Sequence, residues 1–278
     1  MARSVVKAAR ANSASVQQRA GVLAGQALAV RRFRAQASRA DAGTTVTVDK
    51  LDRLDAAEEV ISTRDVIRGS NPGWGDRRVE AEFRRGQIDQ QGVDWYPSRN
   101  AFERHWQHGT RFVYFALVGA GPGLAGLAQP RYGDFTIILD PLDPEPDALA
   151  VFPGNTAALY ASSGSLNVAA CEAAAAAWSD RGDLLTVKHS RHVVANPAKP
   201  WGQVVCTARD FSEVVRAGEL PVSKVTEVRM VADVRRRAID ALLAPDTTAL
   251  TQRQAALAAG MRTLIRWQER YGLSIVVT

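Results

Sequence analysis

Strand-type segments in this chain arrive in clusters separated by helices, without a steady one-for-one alternation, and that order disfavours a doubly wound parallel sheet. Leu184 to His189, Gln203 to Thr207, Phe211 to Val215 and Val225 to Met230 read as four strands in succession, and Arg111 to Val118 and Phe135 to Leu139 as an earlier pair. Between that pair, Gly119 to Gly133 holds five glycines and two prolines, too many for a regular element, so it reads as a long loop. The expectation is an α+β fold with a mixed or antiparallel sheet core and flanking helices.

Helix signals fill much of the remainder. Thr44 to Val48 starts as a strand after a linker at Ala42 to Thr45. Leu51, Leu54, Ala57 and Ile61 then keep helical spacing behind Asp49 as N-cap, until Gly69, Asn71, Pro72 and Gly73 break it. Asp76 caps a charged helix to about Ile88, Ser98 or Asn100 opens a short one ending near Gly109, and Asn167 opens an alanine-rich one to Trp178. Val231 to Leu243 and Thr251 to Tyr271 close the helical set, the latter with a Thr251 and Gln254 capping box and Gly272 as its stop. Leu273 to Val277 reads as a last strand rejoining the sheet.

Charge divides the chain unevenly. The first forty residues carry eight Lys or Arg and no Asp or Glu, while the whole chain holds 35 basic and 29 acidic residues, so the body is near neutral. Residues 1–43 therefore read as a basic amphipathic helical arm and residues 44–278 as the α+β body. Val16, Ala20, Leu23, Ala27 and Val30 form a shallow apolar stripe beside Arg19, Arg31, Arg32 and Arg34, and Gly21 and Gly25 would let another backbone approach. Three uses compete for such an arm: a helix that packs on the body or a partner subunit, an arm that neutralises nucleic-acid phosphates through those four arginines, and an organellar transit peptide spanning residues 1–40.

Several classes of chemistry are disfavoured. No apolar run approaches the roughly 18–20 residues that span a bilayer, so no membrane span is expected and the location reads as cytoplasmic, or organellar if the leader is cleaved. Cys171 and Cys206 lack metal-type spacing and read as buried free thiols. Phosphate-loop, HExxH, GxSxG and dinucleotide signatures are missing; Gly119-Ala120-Gly121-Pro122-Gly123 does not lead into a helix, as a pyrophosphate site requires. His105 with His108 and His189 with His192 form HxxH pairs, but the second straddles an expected strand end, where residues three apart face opposite sides, so no metal is expected.

One segment concentrates the chemical signal. Alternation places Glu213 on one face of its strand with Phe211 and Val215, and a carboxylate among apolar neighbours needs a cation or a hydrogen-bonding ligand. Its plain alternative is an edge-strand charge paired with Arg216 or Arg229 across a hairpin. The order of an acid on a strand, a short Gly turn, Leu220-Pro221, and a strand Val225-Thr226-Glu227-Val228-Arg229-Met230 resembles the C-terminal catalytic strand of ADP-ribosyltransferases, particularly the DNA-modifying and toxin or effector types. His108-Gly109-Thr110 resembles the His-Gly-Thr strand of the poly(ADP-ribose) polymerase class, and Tyr114-Phe115-Ala116 its tyrosine-bearing segment, although the two stand four residues apart here where that class inserts a helix and a loop.

The resemblance implies NAD as substrate, Glu213 as the catalytic carboxylate on the ribose, and His108, Thr110 and Tyr114 around the nicotinamide riboside. Arg111, beside the strand, is in a position to meet the pyrophosphate. The function expected from it is NAD-dependent ADP-ribosyl transfer to nucleic acid or protein. Two alternatives stand beside it: a non-enzymatic nucleic-acid-binding or phage or mobile-element assembly protein that oligomerises and uses the basic arm, and an organellar enzyme of unassigned reaction.

Overall fold

The structure is a computed structural model and describes residues 4–89, 92–106, 109, 111–119, 133–139, 149–162, 164–207 and 210–278. The chain opens with helices α1 (Val5–Ala11), α2 (Ser13–Gln26) and α3 (Leu28–Ala37), then strand β1 (Asp41–Val46). Helix α4 (Val48–Ala57), strand β2 (Glu59–Val60) and helices α5 (Thr63–Ser70), α6 (Asp76–Arg85) and α7 (Tyr96–His105) precede β3 (Phe112–Val118), β4 (Phe135–Leu139) and β5 (Leu149–Phe152). Short elements follow: α8 (Thr156–Tyr160), β6 (Ala161–Ser162), β7 (Ser165–Leu166), α9 (Val168–Ala174) and β8 (Ala176–Ala177). The last part runs α10 (Arg181–Ala195), α11 (Trp201–Val205), β9 (Glu213–Ala217), β10 (Leu220–Pro221), β11 (Val225–Met230), α12 (Ala232–Leu242), α13 (Gln252–Tyr271) and β12 (Ser274–Val277).

The fold is α+β. Its centre is a sheet in the order β12-β11-β4-β1-β3-β9-β5-β8, antiparallel at each junction except the parallel pair of β11 with β12. Side chains alternate across it. Val113, Phe115 and Leu117 of β3 enter the larger core, shared with α2, α3, α4 and α10 to α13, whereas Phe112 and Tyr114 face a second core under α1, α7 and α9.

Local signals bound the C-terminal elements. The Thr251 and Gln254 capping box opens α13, and Gly272, at φ 71°, closes it in the left-handed conformation glycine tolerates best. β12 rejoins the sheet beside β11.

Several expectations are corrected: among them, the N-cap of α4 is Thr47, not Asp49, and the helix after Asn167 ends at Ala174. Leu184 to His189 and Gln203 to Val205 are helical, within α10 and α11. The buried residues of α10 include Gly182, Leu185, Thr186, His189, Ser190 and Val193, a helical period that a six-residue window cannot show. Phe211 to Val215 and Val225 to Met230 do not form a hairpin: β9 lies between β3 and β5, and β11 between β4 and β12. The connection is diverted because Leu220 pairs with Val60 and the Val222 N–H donates to Glu58 O. Ala42 to Thr45 is strand where a linker was expected, and the second HxxH pair lies on one helix, so a strand end no longer separates its members.

The basic leader is three helices packed on the body. Val16, Ala20, Ala24, Val30, Phe33 and Ala37 are buried, and α2 and α3 rest on α10. Gly21 and Gly25 do not mediate the contact, since a Cβ at Gly25 would meet nothing within 4 Å and one at Gly21 only the Arg34 guanidinium at 3.9 Å. The close approach is at Gly182 of α10, where a Cβ would lie 2.7 Å from the Ser38 backbone. Among the described residues no helix is long and apolar enough to cross a membrane.

Candidate active site

Glu213 opens β9 in the interior of the sheet, on the face that also carries Tyr114. Its register neighbours are Phe152 on β5 and Ala116 on β3, and Ala116 is followed by Gly43 on β1. The residue is 4% exposed, so each carboxylate oxygen needs a donor. Asn155 caps α8 by accepting from the Ala157 and Ala158 N–H groups, which leaves the Thr156 N–H directed at the sheet. Glu213 Oε2 accepts from that N–H at 2.8 Å and from Thr156 Oγ1 at 2.6 Å. Its Oε1 lies 3.4 Å from Arg99 Nη2 of α7. The partner of this acid is therefore Arg99, not Arg216 or Arg229, and its strand is not an edge strand.

Arg99 joins Glu213 to a longer chain of charges. Its guanidinium lies 3.9 Å over the Tyr114 ring. Tyr114 Oη donates to Glu103 Oε1 at 3.0 Å, and Glu103 Oε2 accepts from Arg64 Nη1 at 2.6 Å. Arg64 then forks onto Glu80 at 2.8 and 3.0 Å, and Tyr96 Oη also donates to Glu80, at 2.8 Å. The Arg64 guanidinium stacks 3.6 Å from the Phe83 ring centre. Three carboxylates thus face two guanidinium groups across α5, α6, α7, β3 and β9.

The environment shifts these groups in physically distinct ways. Burial raises the Glu103 carboxyl against the opposing pull of Arg64 and Arg99, whereas the Arg64 hydrogen bond lowers the more exposed Glu80. Burial, reinforced by Glu103, holds the Tyr114 phenol well above its ordinary range, so it stays a donor. For Arg99, burial opposes the charge, but Glu213 and its other neighbours outweigh burial and raise it. Arg99 Nη1, Asn100 Oδ1 and Trp106 Nε1, all on or just after α7, are buried without a hydrogen-bond partner among the described residues.

The other residues singled out by sequence fall as follows. His108 and Thr110 lie outside the described residues. Arg111 is exposed and 3.4 Å from Glu219; it stands five residues along β3 from Ala116, the residue opposite Glu213, or roughly 17 Å away at the rise of a strand. Tyr114 is two residues from Ala116 on the same face and belongs to the cluster. Arg19, Arg31 and Arg32 are exposed on α2 and α3, and Arg34 meets Asp183 at 2.5 Å. Both cysteines are buried and free.

Sequence reasoning missed Arg64, Arg99 and Thr156. Arg99 and Glu103 do stand four apart on α7, but that spacing ordinarily marks a solvated helix face.

His189 carries a separate consequence. It is buried against the Phe33 ring edge, and burial pushes its imidazole down to about 4 from 6.5. Between those values the unfolded chain binds the extra proton and the folded chain does not. Stability is therefore complete above about pH 6.5 and is expected to fall by roughly 3 kcal/mol as pH drops to about 4. Urea titrations at several pH values check this; a His189→Leu variant should lose that part of the acid dependence, and an unchanged profile would refute it. No group of three His, Cys, Asp or Glu side chains placed to hold a metal ion occurs among the described residues.

No protein-family model matches the chain, and no curated protein is detectably similar to it in sequence.

Proposed function

We propose that the chain cleaves the nicotinamide glycosidic bond of NAD and transfers the ADP-ribosyl group, with Glu213 as the catalytic carboxylate. One observation carries the reading: a buried carboxylate fixed by a hydroxyl, a backbone N–H and an arginine, beside a tyrosine ring on the same face of the sheet. A carboxylate oriented in advance stabilises positive charge that develops in a transition state without reorganising. Glu213 Oε1 has acceptor capacity to spare, because Oε2 takes both Thr156 donors and the Arg99 interaction with Oε1 is the longest of the three.

In this mechanism Arg99 turns from Oε1 to a phosphate of NAD. The C1′–N bond breaks with its electron pair retained by the nicotinamide nitrogen, and the ribose carries the positive charge beside Glu213. A hydroxyl, amine or base nitrogen of the acceptor, or water, gives an electron pair to C1′ and releases a proton. Thr156 acts as the positioning residue for the carboxylate, Arg99 holds the substrate's phosphate, and Tyr114 supplies an aromatic wall.

The test is nicotinamide release from NAD, followed by chromatography with and without added nucleic acid or protein. Glu213→Gln should lower the rate by roughly 10²–10³-fold, Thr156→Val should lower it less, and Thr156→Ser should restore it. Each variant's thermal transition is recorded beside its rate, so that loss of fold is separated from loss of chemistry. No release by the native chain under any of these conditions, or full activity in a folded Glu213→Gln protein, would overturn the reading.

A further inference from the structure

Helices α2 and α10 lie side by side on the sheet face opposite Glu213, and between them runs a groove of about 790 Å³. Gln18, Arg19 and Val22 line it from α2, and Lys188, Ser190 and Arg191 from α10. Val22 is 58% exposed, so an apolar strip lies open between the cations.

Ion pairing is uneven over the surface, and some exposed arginines elsewhere, such as Arg235 and Arg262, also have no carboxylate within ion-pair distance among the described residues. On α12 and α13, Arg236, Arg237, Arg253, Arg266 and Arg270 each meet a carboxylate. Lys188 is likewise matched, by Asp210 at 2.6 Å. Arg19, Arg191 and the nearby exposed Arg31 and Arg32 have no carboxylate within ion-pair distance among the described residues. The cause is local in sequence: α2 and α3 contain no acid, and the one acid of α10, Asp183, is taken by Arg34.

We propose that this groove binds the sugar-phosphate backbone of a single nucleic-acid strand, with Arg19 and Arg191 on successive phosphates and the apolar strip under sugar or base edges. The observation behind the choice is charge complementarity along a line: unmatched guanidinium groups on both banks suit a chain of regularly spaced anions. Gln18 and Ser190 add neutral hydrogen-bonding groups to backbone oxygens. Such interactions position a strand without reading its sequence, so little sequence preference is expected. The proposal does not rest on the assignment of Glu213, and its residues are separate from that cluster.

The experiment is fluorescence anisotropy of a labelled single-stranded 20-mer, DNA and RNA, over a salt series. The native chain should bind with a steep log-log salt dependence. Arg19→Gln with Arg191→Gln should weaken binding at least tenfold and flatten the slope by roughly 1.4, about 0.7 for each phosphate that is no longer neutralised on a single strand. Val22→Asp should weaken it as well. Arg266→Gln with Arg270→Gln, removing ion-paired arginines of α13, should leave it unchanged. Equal binding by the groove variants and the native chain, no binding at low salt, or association with phosphatidylserine vesicles or an acidic peptide without nucleic-acid binding would each overturn the proposal.

Discussion

Arg64→Met is expected to lower the stability of the folded chain by about 3–5 kcal/mol, measured as a shift of the urea midpoint at constant slope. The guanidinium bridges Glu80 and Glu103, and Glu103 is 2% exposed. Without it, Glu103 retains the Tyr114 hydroxyl but loses its direct cation. An unpaired buried carboxylate then either stays ionised at a desolvation cost or binds a proton, so the variant should recover part of its stability as pH falls. The sign follows from the direction of the shift: burial already raises Glu103, and losing Arg64 raises it further, so the folded state binds a proton where the unfolded state does not. Adding Glu103→Gln to Arg64→Met should restore stability at neutral pH. A loss below 1 kcal/mol would show that water reaches these groups and that the network contributes little.

Gly182→Ala should destabilise at the upper end of the about 1–3 kcal/mol typical of overpacking. In an open helix the same substitution stabilises by about 1 kcal/mol, so the clash has to overcome a favourable propensity. It does so here because the atoms 2.7 Å from the added Cβ are the Cα and N of Ser38, backbone that cannot rotate away. The end of α3 must lift from α10, loosening the packing of Phe33 and Ala37 behind it. Gly25→Ala is the matched control: with nothing within 4 Å it should be neutral or stabilising. Thermal unfolding of the two variants against the native chain decides the matter, and a Gly182→Ala protein as stable as native would mean that the helices do not approach this closely.

These two expectations show how differently the site and the scaffold are encoded. Helix α13 could be bounded from residues within four positions of its ends, because a capping box and a terminal glycine satisfy backbone groups locally. Strands β3 and β4 were legible because their apolar runs are short and bounded by breakers. Helix α10 was not, since a six-residue window is too short to show its period, which the buried positions from Gly182 to Val193 reveal only over twelve residues.

For the candidate site, the chain pointed to Glu213 and Tyr114 through their positions on strands but offered nothing for the groups that hold them. Arg99 lies 114 residues from Glu213, and Thr156 lies 57 away. The partner of a buried charge is chosen by which surfaces meet, and no local spacing encodes that.

The sequence by itself determined the α+β class, the positions of the terminal helices and several strands, and a leader without acids, since each follows from local periodicity, capping or charge. Only the tertiary structure decided that this leader packs into the main core, that β4, β1 and β3 stand between β11 and β9, and that Glu213 faces Arg99. Those outcomes depend on contacts between distant segments, where burial of apolar faces and pairing of desolvated charges select one arrangement among many that local preferences allow.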